Sequence, residues 1–215
     1  KEGIPKLTEL TVAFSRDGFH WYRPDRRSFI GATRRSGDWN RAYIHSAGGV
    51  CLVVGDQLFF YHAGWSGESP IGGGDIYGGG STGVSFLRRD GFASMDAGIT
   101  TESLTTRKVI SNGKHLFVNA DTSKGQLRAE IQNDKGQPFD GYSLEDVTPV
   151  SVDKTLQMVK WGDSDNLKRF AGKPVRIKFS LNNGSLYSFW VSPERSGASH
   201  GYVAAGGPGY SGAVD

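Results

Sequence analysis

The sequence has 215 residues, of which 37% are hydrophobic and 22% are charged, so it predicts a folded chain rather than a disordered one. Its net charge of +3 is small for this length and its basic residues alternate with acidic ones, which argues against a nucleic-acid partner. The single cysteine, Cys51, excludes an internal disulfide framework, and its apolar neighbours predict a buried thiol. No stretch approaches the roughly 20 apolar residues of a membrane helix, so we expect no membrane partner.

Residues 1–68 predict a meander of short β-strands. Leu7 to Phe14 is rich in β-forming residues, Asp17-Gly18 predicts a hairpin turn, and Phe19 to Tyr22 predicts the return strand. Further strands are predicted at residues 42–45, 50–54 and 58–63. Such a meander has the content of one propeller blade, whereas a closed propeller needs several blades. We therefore expect an incomplete propeller, and the start at Lys1-Glu2-Gly3 suggests a mature or excised fragment.

A glycine-rich segment, residues 69–83, follows the meander and predicts a linker. Residues 84–192 then predict a β-sandwich of jelly-roll type. Apolar and polar residues alternate over 127–131 and 175–181, which is typical of strands with one face in a core. Similar runs occur at 104–110, 116–120, 156–161 and 186–191, separated by turn residues. The fold class predicted is all-β, with partial propeller blades followed by a sandwich.

Two segments of the second half are not predicted to be strands. Residues 164–170 predict a single helical turn, which Gly172-Lys173-Pro174 ends. Residues 193–215 form a glycine- and serine-rich tail without regular structure. This tail either packs back on the domains or is mobile.

Three strings in this order resemble bacterial proteins of glycoside hydrolase families 32 and 43: SRDGFHW at 15–21, LFFYHAG at 58–64 and LRRDGFASM at 87–95. The segment 104–131 is similar to the sandwich of such proteins. The resemblance implies a five-bladed propeller followed by a β-sandwich, of which this chain spans the last blade and the sandwich. In those families the catalytic acids lie on earlier blades, so no catalytic residue is carried over to this chain.

Sugar recognition needs a flat aromatic face for the apolar side of a pyranose, together with planar hydrogen-bonding groups for its hydroxyls. One loop-to-strand junction offers both, with Trp39 beside Asn40, Arg41 and Tyr43. Two further candidates, His62 and Trp65, follow a strand at the point where the chain enters the glycine-rich segment. These six residues are the predicted carbohydrate site.

Other locations for a site are weaker. Trp161, Tyr187 and Trp190 are predicted to be core or sheet-face residues, and a sandwich face with Tyr187, Arg176 and Lys178 is the rival sugar site. Glycoside hydrolysis ordinarily uses two carboxyl groups. Four carboxylates lie near one rim of the first part, but their turn-like contexts favour bonding to the local backbone: Asp38, Asp56, Glu68 and Asp75.

The all-β pattern together with the resemblance implies a carbohydrate-binding or accessory region of a polysaccharide-degrading, secreted or periplasmic protein, without catalytic residues of its own. One alternative is a part of an active glycosidase, completed by a missing N-terminal propeller region or a second chain. Another is a purely structural sandwich. The five histidines show no zinc spacing, so no cofactor is expected, although turn carboxylates leave a structural calcium open. Neither the sugar nor its linkage follows from the residues.

Overall fold

The computed structural model describes residues 6–15, 17–48, 51–68 and 77–199. The chain divides into two compact units, residues 1–87 and 88–215. Within the described residues there are thirteen β-strands and one three-residue 3₁₀ helix. The prediction of an all-β fold is confirmed.

The first unit is built around one long strand. The strands of this unit are β1 (Phe14–Ser15), β2 (Trp21–Tyr22), β3 (Tyr43–Ser46), β4 (Leu52–Val54), β5 (Gln57–Trp65) and β6 (Gly80–Arg88). β3 and β4 pair antiparallel with the second and first halves of β5, and β6 also pairs with β5. β1 and β2 form a separate hairpin.

The two faces of the β3–β6 sheet differ in burial. Because side chains alternate along a strand, Ile44, Leu58 and His62 lie on one face, and all three are buried. Ile30 and Ala42 are also buried and complete a small core. The other face carries apolar side chains that are exposed or only half-buried: Tyr43, Leu52, Val54, Phe59, Tyr61, Trp65, Val84 and Phe86. This set is called the open face below.

The second unit is a two-sheet arrangement consistent with a β-sandwich. Its strands are β7 (Met95–Ala97), β8 (Glu102–Thr105), β9 (His115–Asp121), β10 (Gln126–Gln132), β11 (Asp153–Met158), β12 (Arg176–Asn182) and β13 (Gly184–Ser192). One sheet has the antiparallel order β11-β9-β13-β7 and the other β10-β12-β8. Inward residues of both sheets form one buried core, which includes Val118, Leu127, Phe179 and Leu186.

The four-stranded sheet of the second unit is covered on both faces. Behind the main core, Phe117 and Trp190 stack with ring centroids 5.7 Å apart, and both are buried. Residues 193–199 cover them, and the Trp190 Nε1–H donates to the carbonyl of Gly197 at 2.9 Å. The described part of the predicted tail therefore packs back on the sandwich; residues 200–215 lie outside the described residues.

Several local predictions need correction. Residues 7–13 contribute only isolated bridges at Thr8 and Leu10 rather than a strand. The predicted linker, residues 69–83, ends too late, because Gly80 to Gly83 begin β6. The division between the two units falls between residues 87 and 88. Residues 69–76 of that linker lie outside the described residues. Cys51 is half-exposed rather than buried, because it precedes β4 at the sheet margin.

Two corrections concern the second unit. The predicted helical turn over 164–170 is reduced to a 3₁₀ helix at Lys168–Phe170. The polar side of β10 is not solvent-exposed along its whole length, since Glu130 is buried. The Glu130 carboxylate accepts from the amide of Gln132 at 2.6 Å and from the backbone N–H of Leu144 at 3.2 Å. A loop therefore covers part of that face, which alternation along β10 alone does not indicate.

Candidate functional site

The six predicted sugar-binding residues lie in the first unit but do not form one surface. Tyr43 and Trp65 are paired across β3 and β5, so they share the open face. His62 points to the opposite, buried face. Trp39 packs beside His62, with ring centroids 5.8 Å apart and an interplanar angle of 29°. The structure thus separates a Trp39–His62 pair from a Tyr43–Trp65 pair.

The indole of Trp39 lies on two glycines of neighbouring strands. A Cβ atom added at Gly64 of β5 would lie 2.6 Å from Cζ3 and 2.9 Å from Cε3 of the indole. One added at Gly83 of β6 would lie 3.0 Å from Cζ2. The ring therefore rests directly on the backbone of the sheet, while 39% of the Trp39 surface stays exposed. This half-exposed ring on a glycine floor is called the Trp39 platform below.

Backbone hydrogen bonds hold the loop that presents Trp39. The N–H of Thr33 donates to the carbonyl of Asn40 at 3.1 Å, and the N–H of Arg34 donates to that of Arg41 at 2.9 Å. Gly37 within this loop has φ of 87°, a conformation that glycine adopts without strain. The loop is therefore a closed hairpin-like turn that fixes where the indole lies.

His62 supports the platform from inside the unit. It is only 4% exposed, and its Nδ1 lies 3.3 Å from the carbonyl of Phe60. A Cβ at Gly83 would come within 3.0 Å of His62 Nε2, so His62 and Trp39 meet over the same glycine. The imidazole thus fixes the position of the indole and is not presented to solvent.

Charged groups lie close to Trp39 in the sequence. Arg41, two residues after Trp39, forms an ion pair with Glu68 through its Nη1. Asn40 is half-buried. Asp38 is paired with Arg35 at 3.0 Å, and hydrogen bonding from the Thr33 hydroxyl, followed by the Arg35 guanidinium, lowers the pKa of Asp38. These groups are planar hydrogen-bonding partners of the kind that sugar hydroxyls require.

Tyr43 and Trp65 belong to an aromatic cluster on the open face. Their ring centroids are 5.2 Å apart, and Tyr77 completes the cluster at 5.6 Å from Tyr43 and 6.0 Å from Trp65. The amino group of Lys6 lies 5.9 Å from the centre of the Tyr43 ring. A Cβ at Gly80 would lie 2.9 Å from Nε1 of Trp65, so this indole also rests on a glycine.

The carboxylates considered for catalysis lie in separate structural contexts. Asp38 and Glu68 are ion-paired as described, and Asp56 lies in the turn between β4 and β5. Asp75 lies outside the described residues. A glycosidic general acid needs a raised pKa. The resolved shift of Asp38 goes in the opposite direction, which fits an anionic, structural carboxylate.

The rival sugar site on the sandwich is not a single face. Arg176 and Lys178 lie on β12, whereas Tyr187 lies on β13 in the other sheet. Arg176 donates to the carbonyl of Thr106 at 3.1 Å, while the guanidinium of Arg88 lies over the Tyr187 ring at 4.8 Å. Trp161 and Trp190 are buried, as predicted.

An open cleft in the second unit has no counterpart in the sequence analysis. It has a volume of about 520 Å³ and lies where the two sheets part, with Ile110, Ile177, Phe189 and Pro193 in its wall. Its wall is mainly apolar, and residues 109–113 and the last part of β13 both contribute to it. The wall combines segments that are far apart in the sequence, so no sequence motif indicates the cleft.

One residue type in the candidate site was not identified from the sequence. The glycines under the indoles, Gly64, Gly80 and Gly83, stand inside β5 and β6. An isolated glycine inside a strand pattern is a recognised signal of close approach by another group. That signal was available at Gly64, whereas Gly80 and Gly83 were assigned to a linker.

No group of three or more His, Cys, Asp or Glu side chains in the described ranges is arranged to hold a metal ion. No helix among the residues the structure describes has the length and apolar character needed to cross a membrane. Comparison of the chain with protein-family models, with curated proteins and with solved structures found no match.

Proposed function

We propose that the first unit binds carbohydrate and that the Trp39 platform is the stacking surface. The observation that carries this proposal is the half-exposed indole held on Gly64 and Gly83. A flat ring fixed in this way loses little conformational entropy when a sugar stacks on it, and such preorganisation favours binding. His62 and the closed loop around Gly37 hold the ring in place.

A pyranose presents an apolar C–H face to an aromatic ring and hydroxyls at its edge. The indole matches the first feature, and the ion pair of Glu68 with Arg41, two residues after Trp39 in the sequence, offers charged donors and acceptors for the second. A polysaccharide ligand agrees with a secreted or periplasmic protein of a polysaccharide-degrading system. The test therefore uses a panel of sugars and linkages.

Binding should be measured on a glycan array and by pull-down on insoluble polysaccharides, including fructans. We expect Trp39→Ala to weaken binding by about 1–3 kcal/mol, the contribution of a good aromatic contact with its buried area. The matched control is Tyr61→Ala, which removes an exposed aromatic ring from the opposite face of the same sheet. Equal loss in both variants, or unchanged binding in Trp39→Ala, would contradict the proposal.

Trp39 also contributes to packing, so its loss must be separated from unfolding. Each variant should therefore be compared by circular dichroism and by amide exchange at Ile44, whose N–H donates to the carbonyl of Thr8 at 2.9 Å. Loss of binding with retained protection at Ile44 supports a direct contact. Loss of protection together with binding would mean that Trp39 acts through packing alone.

A second candidate function rests on the open face. Phe59 and Phe86 pack edge to face at 4.6 Å, while Leu52, Tyr61 and Phe86 are largely exposed. Exposed apolar patches of this kind mark interaction surfaces. We therefore propose as the alternative that a further β-sheet, from a missing propeller region or a second chain, covers this face in a larger glycosidase.

This alternative predicts that the chain binds a hydrophobic dye in its native state or associates in light scattering. Replacing Tyr61 and Phe86 together by Ser should lower dye binding without lowering stability, because both side chains are exposed. A monomer that binds no dye would exclude the alternative. Assays on aryl glycosides and fructans then show whether the chain alone hydrolyses a glycosidic bond.

A further inference from the structure

The hairpin formed by β1 and β2 has a tightly bonded turn. The Asp17 carboxylate accepts from the backbone N–H groups of Phe19 at 2.9 Å and His20 at 2.8 Å. The Ser15 hydroxyl accepts from the N–H of Gly18 at 2.8 Å, and the His20 ring lies 2.6 Å from the second Asp17 oxygen. The backbone N–H of His20, its ring and then the N–H of Phe19 lower the pKa of Asp17. The ionised Asp17 carboxylate therefore stabilises the turn.

This hydrogen-bonded turn presents aromatic side chains to solvent. Phe19 is 86% exposed, Trp21 64% and Tyr22 69%. Trp21 is oriented by its own Nε1–H, which donates to the carbonyl of Gly18 at 3.1 Å. Three large rings are thus exposed on one hairpin, and the Nε1–H hydrogen bond holds the indole of Trp21 in place. Such an arrangement offers contact area at a small entropy cost.

Arginines follow the hairpin directly, and they differ in their partners. Arg27 is paired with Asp25 at 2.7 Å, and Arg35 is paired with Asp38 at 3.0 Å. Arg23 and Arg26 are exposed and make no ion pair within the described residues. Two exposed guanidinium groups without an ion-pair partner among the described residues therefore follow Trp21 and Tyr22 closely in the sequence.

We propose that the segment Phe19 to Arg26 is a second carbohydrate-binding surface, separate from the Trp39 platform, and that it selects anionic polysaccharides. The rings stack on apolar sugar faces, and Arg23 and Arg26 pair with carboxylate or sulfate groups of the polymer. Guanidinium groups bind both anions through paired N–H donors. The surface thus recognises a sugar polymer that carries regularly spaced negative charge.

Other anionic partners fit this segment less well. Nucleic-acid binding relies on a broad basic patch, whereas here ion pairs with neighbouring acids occupy Arg27 and Arg35. Insertion into a membrane surface would bring Asp17, which is held ionised at the tip of the hairpin, towards the lipid. A solvated polymer that lies along the hairpin leaves Asp17 in water and still contacts the rings.

The test uses the full chain and matched polymers. Polygalacturonate and its methyl-esterified form share one backbone and differ in charge, as do dextran sulfate and dextran. We expect binding to at least one anionic member and weaker binding to its neutral counterpart. Arg23→Gln/Arg26→Gln should weaken that binding about tenfold, since an exposed ion pair contributes a factor of up to about five. Trp21→Ala should weaken it about fivefold to tenfold.

The control is Arg107→Gln/Lys135→Gln, which removes the same positive charge from exposed side chains of the second unit. It should change binding less than twofold, and the affinity of the unmodified chain should fall as salt rises. Equal loss of anionic binding in both double variants would mean that only the net charge matters, and it would overturn the proposal. Equal binding of neutral and anionic forms, or tighter binding to a single-stranded oligonucleotide or to anionic lipid vesicles, would also overturn it.

Trp39→Ala separates this surface from the proposed platform. If Trp39→Ala loses binding only to neutral polysaccharides, the anionic surface does not depend on the Trp39 platform. Loss of anionic binding in Trp21→Ala, with neutral binding retained, identifies the hairpin as an independent surface. Loss of anionic binding in Trp39→Ala but not in Trp21→Ala would refute the inference.

Discussion

Replacing Gly64 by Ala tests whether the glycine floor positions Trp39. The new Cβ would lie 2.6 Å from Cζ3 of the indole, about 0.8 Å short of the 3.4 Å at which ordinary contact begins. It would also lie 3.2 Å from the backbone Cα of Asn40. The ring must therefore shift outward. Overpacking of this kind costs about 1–3 kcal/mol, and alanine recovers about 0.5–1 kcal/mol in a strand, so we expect a net loss of about 1–2 kcal/mol.

The assay is native-state amide exchange at Ile44, which reports on the first unit, combined with binding to the best glycan from the panel. Gly48→Ala is the control, since a Cβ there would meet no atom within 4 Å. It should be neutral or stabilising by up to about 1 kcal/mol. In the Trp39→Ala background the cost of Gly64→Ala should fall by about 1 kcal/mol, because the principal clash is removed. An equal cost in both backgrounds would refute the glycine-floor explanation.

Two further predictions concern stability and pH. Arg88→Met should lower the free energy of unfolding of the second unit, measured by urea denaturation, by about 2–3 kcal/mol. Arg88 donates to the buried Asn119 Oδ1 at 2.7 Å, and its loss leaves that oxygen unsatisfied. The control, Arg107→Met at an exposed position, should change this free energy by less than about 0.5 kcal/mol. A similar loss in both would contradict this role of Arg88. The lowered pKa of Asp17 stabilises the hairpin fully above the ordinary aspartate value of about 3.9, and this contribution is lost as the pH falls through the folded value. An acid titration followed by NMR at the amide of His20 should therefore have its midpoint well below 3.9, and a midpoint at or above that value would disprove the bonded turn.

The strands of the second unit were largely predictable. The alternation over 127–131 and 175–181 corresponds to β10 and β12, which pair from Gln126 with Asn182 to Gln132 with Arg176. Alternation follows from the geometry of a single strand, so it can be recognised without knowing the partner strand. Strands β6 and β7 were missed, because β6 begins in a glycine-rich segment and β7 has only three residues.

The candidate site was predictable in composition but not in arrangement. The sequence places Trp39 in a glycine-bounded loop, which is enough to suggest exposure. It does not indicate that Trp39 meets His62 while Trp65 joins Tyr43 on the opposite face. Those pairings depend on the register of β5 with β3, and a shift of one residue would exchange the two faces.

By itself, the sequence determined the all-β class, most strands of the sandwich and the polar hairpin turn at Asp17-Gly18. These features depend on side-chain alternation and local turn chemistry, which act over a few residues. The tertiary structure decided the glycine floor under Trp39, the open face, the burial of Glu130 and the cleft beside β13. Each of these needs residues far apart in the chain to meet, and the meeting is set by strand register and by the close packing of side chains across strands.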